Sequence, residues 1–167
     1  MAGRRVFFSF HYEKDVWRAT NVRNAGKVDA VAAAGWSDAS IWEEAKRKGR
    51  REIERLIDAG LRGTSVTAVL IGAETANRPW VKYEIERSIQ RGNGLLGVRI
   101  HRIKDQQGYR SERGPIPGAL VDGGFRVYDW DRNSLGRWVE WAAVAAGKDC
   151  RRHKKARCFA CSRHWWS

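Results

Sequence analysis

The carboxylate of Glu84 is the group in this sequence best placed to do chemistry. It lies in a predicted helix that begins near Pro79, and the ring of Trp80 precedes it by one helical turn. The helix follows Val66–Ile71, an apolar run that is typical of a buried strand. A carboxylate beside an aromatic ring, just after a central strand, lies where open α/β sheets bind their ligands.

Helical periodicity predicts that Glu84 lies at the edge of the buried face. Apolar residues recur every four positions and define the predicted inward stripe, which consists of Val81, Ile85 and Ile89. At about 100° per residue, Glu84 lies roughly 60° from this stripe, whereas Glu86 lies roughly 140° from it and is expected in water. Considered alone, the residues favour the alternative, a helix-surface carboxylate that pairs with Ser88 or Arg87.

The predicted first strand also ends in residues that could contact a ligand. Residues 5–10, RVFFSF, are apolar and rich in β-formers, and a polar turn and a helix follow, as in the first half of a βαβ unit. The candidate ligand contacts at the carboxyl end of this strand are Phe8, Ser9, Phe10, His11 and Tyr12. We expect whichever of Phe8 and Phe10 points into the sheet to belong to the core instead.

The other predicted elements continue the alternation of strands and helices. Residues 23–35 are expected to form a loop, and Ser40 to Glu43 matches a capping box at the start of a helix. The remaining predictions are a single helix from this box to Gly60, a strand over 95–103, a long loop over 104–124, a short strand over 125–128 and a helix over 134–145. This order predicts an α/β fold with a parallel, doubly wound sheet.

Charge and cysteine content divide the chain into a body, residues 1–147, and a basic tail, residues 148–167. The net charge is +13, and the tail contributes +6 of it through seven Lys or Arg and one Asp. A basic body favours anionic partners such as nucleotides or nucleic acid, although a solvated basic surface is the alternative. All three Cys lie in the tail, so we expect no disulfide framework in the body and a reducing cytoplasm as the location.

Motifs narrow the chemistry further. The sequence contains no GxGxxG after a strand, no P-loop, no GxSxG and no HExxH, and no run of 18 apolar residues that would predict a membrane span. In the tail, Cys158 and Cys161 with His164, or Cys150 with His153, could bind Zn²⁺. The spacing is not a common zinc pattern, so we expect a flexible tail and assign no metal.

Several segments together resemble the TIR-like family that includes the ThsB proteins of Thoeris antiphage systems. The resemblance covers residues 4–147, and its segments are RVFFSFHYEKD, VRN, WSDASIWEEAK, GTSVTAVLIGAETANRPWVKYEIERSI and GNGLLGVRIH. It implies a flavodoxin-like, three-layer TIR-like fold with a central, mainly parallel sheet. It also implies an enzyme that cleaves NAD at the nicotinamide–ribose bond and makes a cyclic ADP-ribose isomer, which signals to a partner effector protein.

The resemblance also assigns roles to residues. Trp80–Ile85, WVKYEI, matches the pattern that carries the essential glutamate of catalytic TIR domains, which implies that Glu84 is catalytic. Residues 8–12 match the part that lines the nucleotide pocket, and Asp38, Ser40 and Trp80 are further expected substrate contacts. NAD is then a substrate, no separate cofactor or metal is expected, and homo-oligomerisation stays open.

The chemistry implied by the resemblance is consistent with these residue types. Nicotinamide leaves without a general acid, because it already carries positive charge, and the ribose left behind resembles an oxocarbenium ion. One carboxylate can stabilise that cation, aromatic rings can stack on a base, and Arg18 or Arg23 could pair with the pyrophosphate. The alternatives are a non-catalytic TIR-like interaction module and a basic nucleic-acid-binding protein.

Overall fold

A single parallel sheet of five strands organises the part of the chain that the structure describes. The computed structural model describes residues 4–25, 28–31 and 39–147. The strands are β1 (Arg5–Ser9), β2 (Asp29–Val31), β3 (Val66–Ile71), β4 (Gly94–Arg99) and β5 (Val127–Asp129). Their order is β2-β1-β3-β4-β5, and every neighbouring pair is parallel. This is the flavodoxin-like order, which confirms the predicted fold class.

Helices cover both faces of the sheet and complete the three layers. They are α1 (Tyr12–Arg23), α2 (Ala39–Lys48), α3 (Arg50–Leu61), α4 (Pro79–Gln90), α5 (Gly118–Asp122) and α6 (Leu135–Ala145). Successive strand residues point to opposite faces, so Phe8 packs with α1 and α6 whereas Phe7 packs with α2 and α3. The alternation places Ser9 on the face that Phe7 occupies. Among the described residues, we find no helix with the length and apolar character needed to cross a membrane.

The structure corrects several predicted boundaries. The helix expected up to Gly60 is two helices, because Gly49 between α2 and α3 has a φ of 101°, which side chains other than glycine rarely adopt. α2 begins at Ala39, so the capping-box residue Ser40 is already inside the helix. Part of the loop predicted over 23–35 forms β2, the strand predicted over 95–103 ends at Arg99, and the loop predicted over 104–124 contains α5.

The predicted inward stripe of α4 is wrong at its last position. Val81 and Ile85 are buried, but Ile89 is 45% exposed and Ser88 is buried instead. A row of residues four apart advances about 400° for each step, so it drifts by about 40° per turn and leaves the buried face after two steps. Ser88 forms a hydrogen bond with the Thr67 hydroxyl of β3 and donates one to a backbone carbonyl of α4, which satisfies a polar side chain in this position.

Candidate functional site

The sheet order locates a crevice between β1 and β3. The chain leaves β1 towards β2 on one side and places β3 on the other, so the connections diverge at the carboxyl ends of these two strands. Ser9 is the last residue of β1 and lies opposite Val69 of β3. α4 follows β3 and crosses the same face, so the topology brings residues near positions 9 and 84 together at this edge.

Glu84 and Ser9 meet in this crevice. The Ser9 hydroxyl donates a hydrogen bond of 2.5 Å to the Glu84 carboxylate. Ser9 is fully buried and Glu84 is 6% exposed, so the pair is almost completely removed from water. The alternative pairing expected from the sequence does not occur: Arg87 binds Asp58, and Ser88 donates to the backbone carbonyl of Glu84 rather than to its carboxylate.

Burial changes the acidity of this carboxyl group. It raises the pKa of Glu84 to about 8, and the hydrogen bond from Ser9 opposes part of the rise. No salt bridge reaches Glu84 within the described part of the chain. An ionised Glu84 would therefore be a buried negative charge without a cation of its own, and such a charge strongly stabilises a positive charge brought next to it.

His11 and Arg78 form a polar rim where β1 and β3 lead into their helices. His11 directly precedes α1, is 4% exposed, and its Nε2 contacts the Arg78 guanidinium. Burial and then the charge of Arg78 lower the pKa of His11, so its ring is neutral at pH 7. Glu74 binds Lys14 and lies 3.4 Å from Arg78, which ties the β3–α4 connection to the first turn of α1.

Aromatic residues occupy the helix face beside the Ser9–Glu84 pair. Tyr12 lies 6.3 Å from Trp42, measured between ring centroids, and both belong to the cluster that contains Phe7. Trp80 is half-buried in the same cluster and meets Tyr83 edge-on at 6.0 Å. These rings supply the flat apolar surfaces that a base or a nicotinamide ring would stack on.

Not every sequence-predicted candidate comes to this site. Phe8 is 1% exposed in the core on the opposite face of the sheet, so it is a core residue and its ring cannot reach a ligand. Phe10 packs partly against that same core and lies 6.3 Å from Tyr12. Ser40 lies in the first turn of α2, and Asp38 and the tail over 148–167 lie outside the described residues.

Arg18 has a structural role, which corrects its expected contact with pyrophosphate. It is 5% exposed, donates to the backbone carbonyls of Ile103 and Tyr109, and contacts Asp15 and Asp105. Its guanidinium therefore fastens the segment after β4 to α1 and is already fully engaged.

Two contributors to the site were missed in the sequence. Arg78 precedes Pro79, and the residue before a proline is held in an extended conformation, which places its side chain beside the helix start. Trp42 was assigned only to a helix stripe, because nothing in its local spacing indicates that α2 packs next to the end of β1.

Comparison with known proteins agrees with this architecture. The family model for the TIR-like domain of the Thoeris protein ThsB matches residues 7–105, which include Ser9 and Glu84. The chain is 42% identical, over 152 residues, to a Bacillus cereus (strain MSX-D12) protein named "Putative cyclic ADP-D-ribose synthase ThsB1". The match covers 85% of this chain and 77% of that relative. By fold, site and similarity, the chain belongs to the TIR-like ThsB family of Thoeris proteins.

Proposed function

We propose that this protein cleaves NAD at the nicotinamide–ribose bond and converts the ADP-ribosyl part into a cyclic ADP-ribose isomer. The observation that carries the proposal is the buried Glu84 carboxylate, held by Ser9 at the crevice between β1 and β3. The similarity to a relative named as a cyclic ADP-D-ribose synthase supports the same chemistry.

Glu84 acts on the ribose that nicotinamide leaves. As the C1″–nitrogen bond breaks, the electron pair departs with nicotinamide, and positive charge develops on the ribose ring. The Glu84 carboxylate offsets this charge in surroundings that contain little water, where the attraction is strong. Trp80 and Tyr12 offer aromatic faces for the rings of the substrate, and the hydroxyl of Ser9 fixes the direction of the carboxylate.

The proposed biological role follows from the product. NAD is the substrate, and no separate cofactor or metal takes part. The cyclic nucleotide is a diffusible signal in antiphage defence that binds a downstream effector protein. The protein acts in the cytoplasm, where NAD is available, and assembly into a homo-oligomer would be a means of switching it on.

Product chromatography tests the proposal. Purified protein incubated with NAD is expected to release nicotinamide and an ADP-ribose product that lacks one water relative to linear ADP-ribose, identified by mass. The same measurement on lysates of phage-challenged cells covers a need for a trigger. Release of nicotinamide in neither setting, with folding confirmed by circular dichroism, would contradict the proposal and favour a non-catalytic interaction module.

Ser9→Ala is expected to move the pH dependence of this reaction towards alkaline pH. The hydrogen bond from Ser9 lowers the pKa of Glu84, so its loss raises that pKa, and a larger share of the enzyme is protonated and inactive at pH 7. We expect kcat/KM at pH 7 to fall about tenfold and to recover as the pH rises, because one pKa unit corresponds to a factor of ten below the midpoint.

Ser88→Ala is the matched control for this measurement. Ser88 is also a fully buried serine next to Glu84, but its hydroxyl donates to the backbone carbonyl of that residue. The substitution should cost stability without moving the pH profile. A Ser9→Ala profile that keeps its wild-type midpoint would show that the hydroxyl does not control ionisation of Glu84.

A further inference from the structure

A narrow slot lies beside the site, between the junction of α2 with α3 and the start of α4. Its volume is about 210 Å³, and the site residues Glu84 and Ser9 do not line it. The apolar and aromatic part of the lining comes from Ile53, Pro79, Trp80 and Tyr83, and the other side from Gly49, Lys46 and Arg50. No step of the mechanism above uses this slot.

The break between α2 and α3 keeps the slot open. Gly49 has a φ of 101°, so the chain turns sharply there rather than continuing as one helix. A Cβ atom added at Gly49 would meet no heavy atom within 4 Å, which shows that the space beside this turn is empty. Pro79 and Trp80 face it from the first turn of α4, and Tyr83 closes it one turn later.

Size and charge indicate a neutral aromatic ring as the occupant. At about 210 Å³ the slot is smaller than the roughly 300–1,000 Å³ of pockets that enclose a drug-sized ligand, so it holds one ring system and not a dinucleotide. Its two cations are already neutralised, since Lys46 binds Glu13 and Glu43, and Arg50 binds Glu54. A phosphate therefore gains little there, whereas a flat base gains contact with Trp80 and Tyr83.

Trp80 connects the slot with the catalytic carboxylate. It lines the slot and precedes Glu84 by four residues, which is about 6 Å along the axis of α4. A ring in the slot would thus lie within about one helical turn of the ribose that reacts at Glu84. NAD can place its adenine there only when the molecule is folded, with its two halves side by side.

We propose that this slot binds the adenine base of NAD and thereby decides between cyclisation and hydrolysis. The inference rests on the proposed function and extends it to substrate conformation. After the C1″–nitrogen bond breaks and its electron pair leaves with nicotinamide, C1″ accepts a new bond from one of two nucleophiles. A ring nitrogen or a hydroxyl of the adenosine half gives the cyclic product, and water gives linear ADP-ribose; in either case the nucleophile's proton, where it has one, passes to solvent.

Substitution of Tyr83 tests the proposal through the ratio of products. Tyr83→Leu keeps an apolar side chain but removes the ring, so the adenosine half is held less firmly and water competes better. We expect the ratio of cyclic to linear product to fall at least about fivefold, while Tyr83→Phe retains the wild-type ratio. The ratio does not depend on how much enzyme is active, so a loss of folded protein alone would not change it.

A binding measurement keeps this test independent of turnover. Titrations of the Glu84→Gln protein with AMP and with nicotinamide mononucleotide report the two halves of NAD separately. We expect the further change Tyr83→Leu to weaken AMP binding at least about tenfold and to leave nicotinamide mononucleotide binding unchanged. Tyr109→Leu is the control, because Tyr109 is 70% exposed and does not line the slot.

The outcomes separate this inference from the proposed function. AMP binding that is absent, or that Tyr83→Leu does not weaken, overturns the adenine assignment whether or not NAD is cleaved. Weakened AMP binding with an unchanged product ratio overturns the role of the slot in product choice. If the wild-type protein cleaves NAD and either of these results is obtained, the proposed function stands and only the slot inference fails.

Discussion

Glu84→Gln is expected to lower the rate of nicotinamide release by at least about 100-fold to 1,000-fold, the range found when a single group that stabilises transition-state charge is removed. Glutamine has nearly the same shape and can still accept the hydrogen bond from Ser9, but it carries no negative charge to offset the cation on the ribose. The measurement is kcat/KM for NAD, with nicotinamide quantified by chromatography, at a pH above 8 where most of the wild-type carboxyl group is ionised.

Glu86→Gln is the control, since Glu86 lies on the same helix with its side chain 50% exposed and paired only loosely with Lys82 at 3.9 Å. This variant removes the same charge from the protein two positions away, and we expect it to retain full activity. Equal rates for wild type and Glu84→Gln would reject Glu84 as the catalytic carboxylate. Equal losses in both variants would point to net charge rather than to the buried site.

The same substitution is expected to make the folded protein more stable at alkaline pH. The pKa of Glu84 is about 8 in the folded state against 4.5 as its ordinary value, so between these pH values the folded state holds a proton that the unfolded state has lost. The free energy of unfolding of the wild type therefore falls as the pH rises through this window. Glutamine does not titrate, so the variant escapes this loss.

Urea unfolding at pH 5 and pH 8 measures the effect. We expect the stability difference, variant minus wild type, to grow by about 3 kcal/mol between these two pH values, given that one pKa unit corresponds to about 1.4 kcal/mol. Comparing the two proteins at each pH cancels the titration of all other groups. Parallel pH dependences for wild type and Glu84→Gln would mean that this carboxyl is already ionised at pH 5.

The alternation of apolar strands and amphipathic helices was sufficient to predict the fold class. β3 is buried along its whole length and α4 carries Pro79 in its first turn, and both were recognisable because local composition determines them. The break at Gly49 was not, because a single glycine in a helical pattern is more often tolerated than disruptive. Ile89 was misplaced because its predicted burial relied on a repeat of four residues where the helix turns every 3.6.

The site was predictable only in part. The position of Glu84 after a central strand indicated which edge of the sheet it would face, but not that Ser9 would bind it, since the two residues are 75 positions apart. Phe8 and Ser9 are neighbours in sequence, and only the register of β1 decides that one enters the core and the other reaches the carboxylate. Arg18 could not be recognised as structural, because its partners belong to a segment more than 80 residues later.

The hydrogen bond between β1 and α4 also bears on protein synthesis. Residue 9 leaves the ribosome long before residue 84, and the two meet only when β3 has inserted next to β1. Contacts of such long sequence separation form late in folding. A nascent or misfolded chain therefore lacks an aligned carboxylate, and the cell's NAD pool is safe from consumption until the whole domain has assembled.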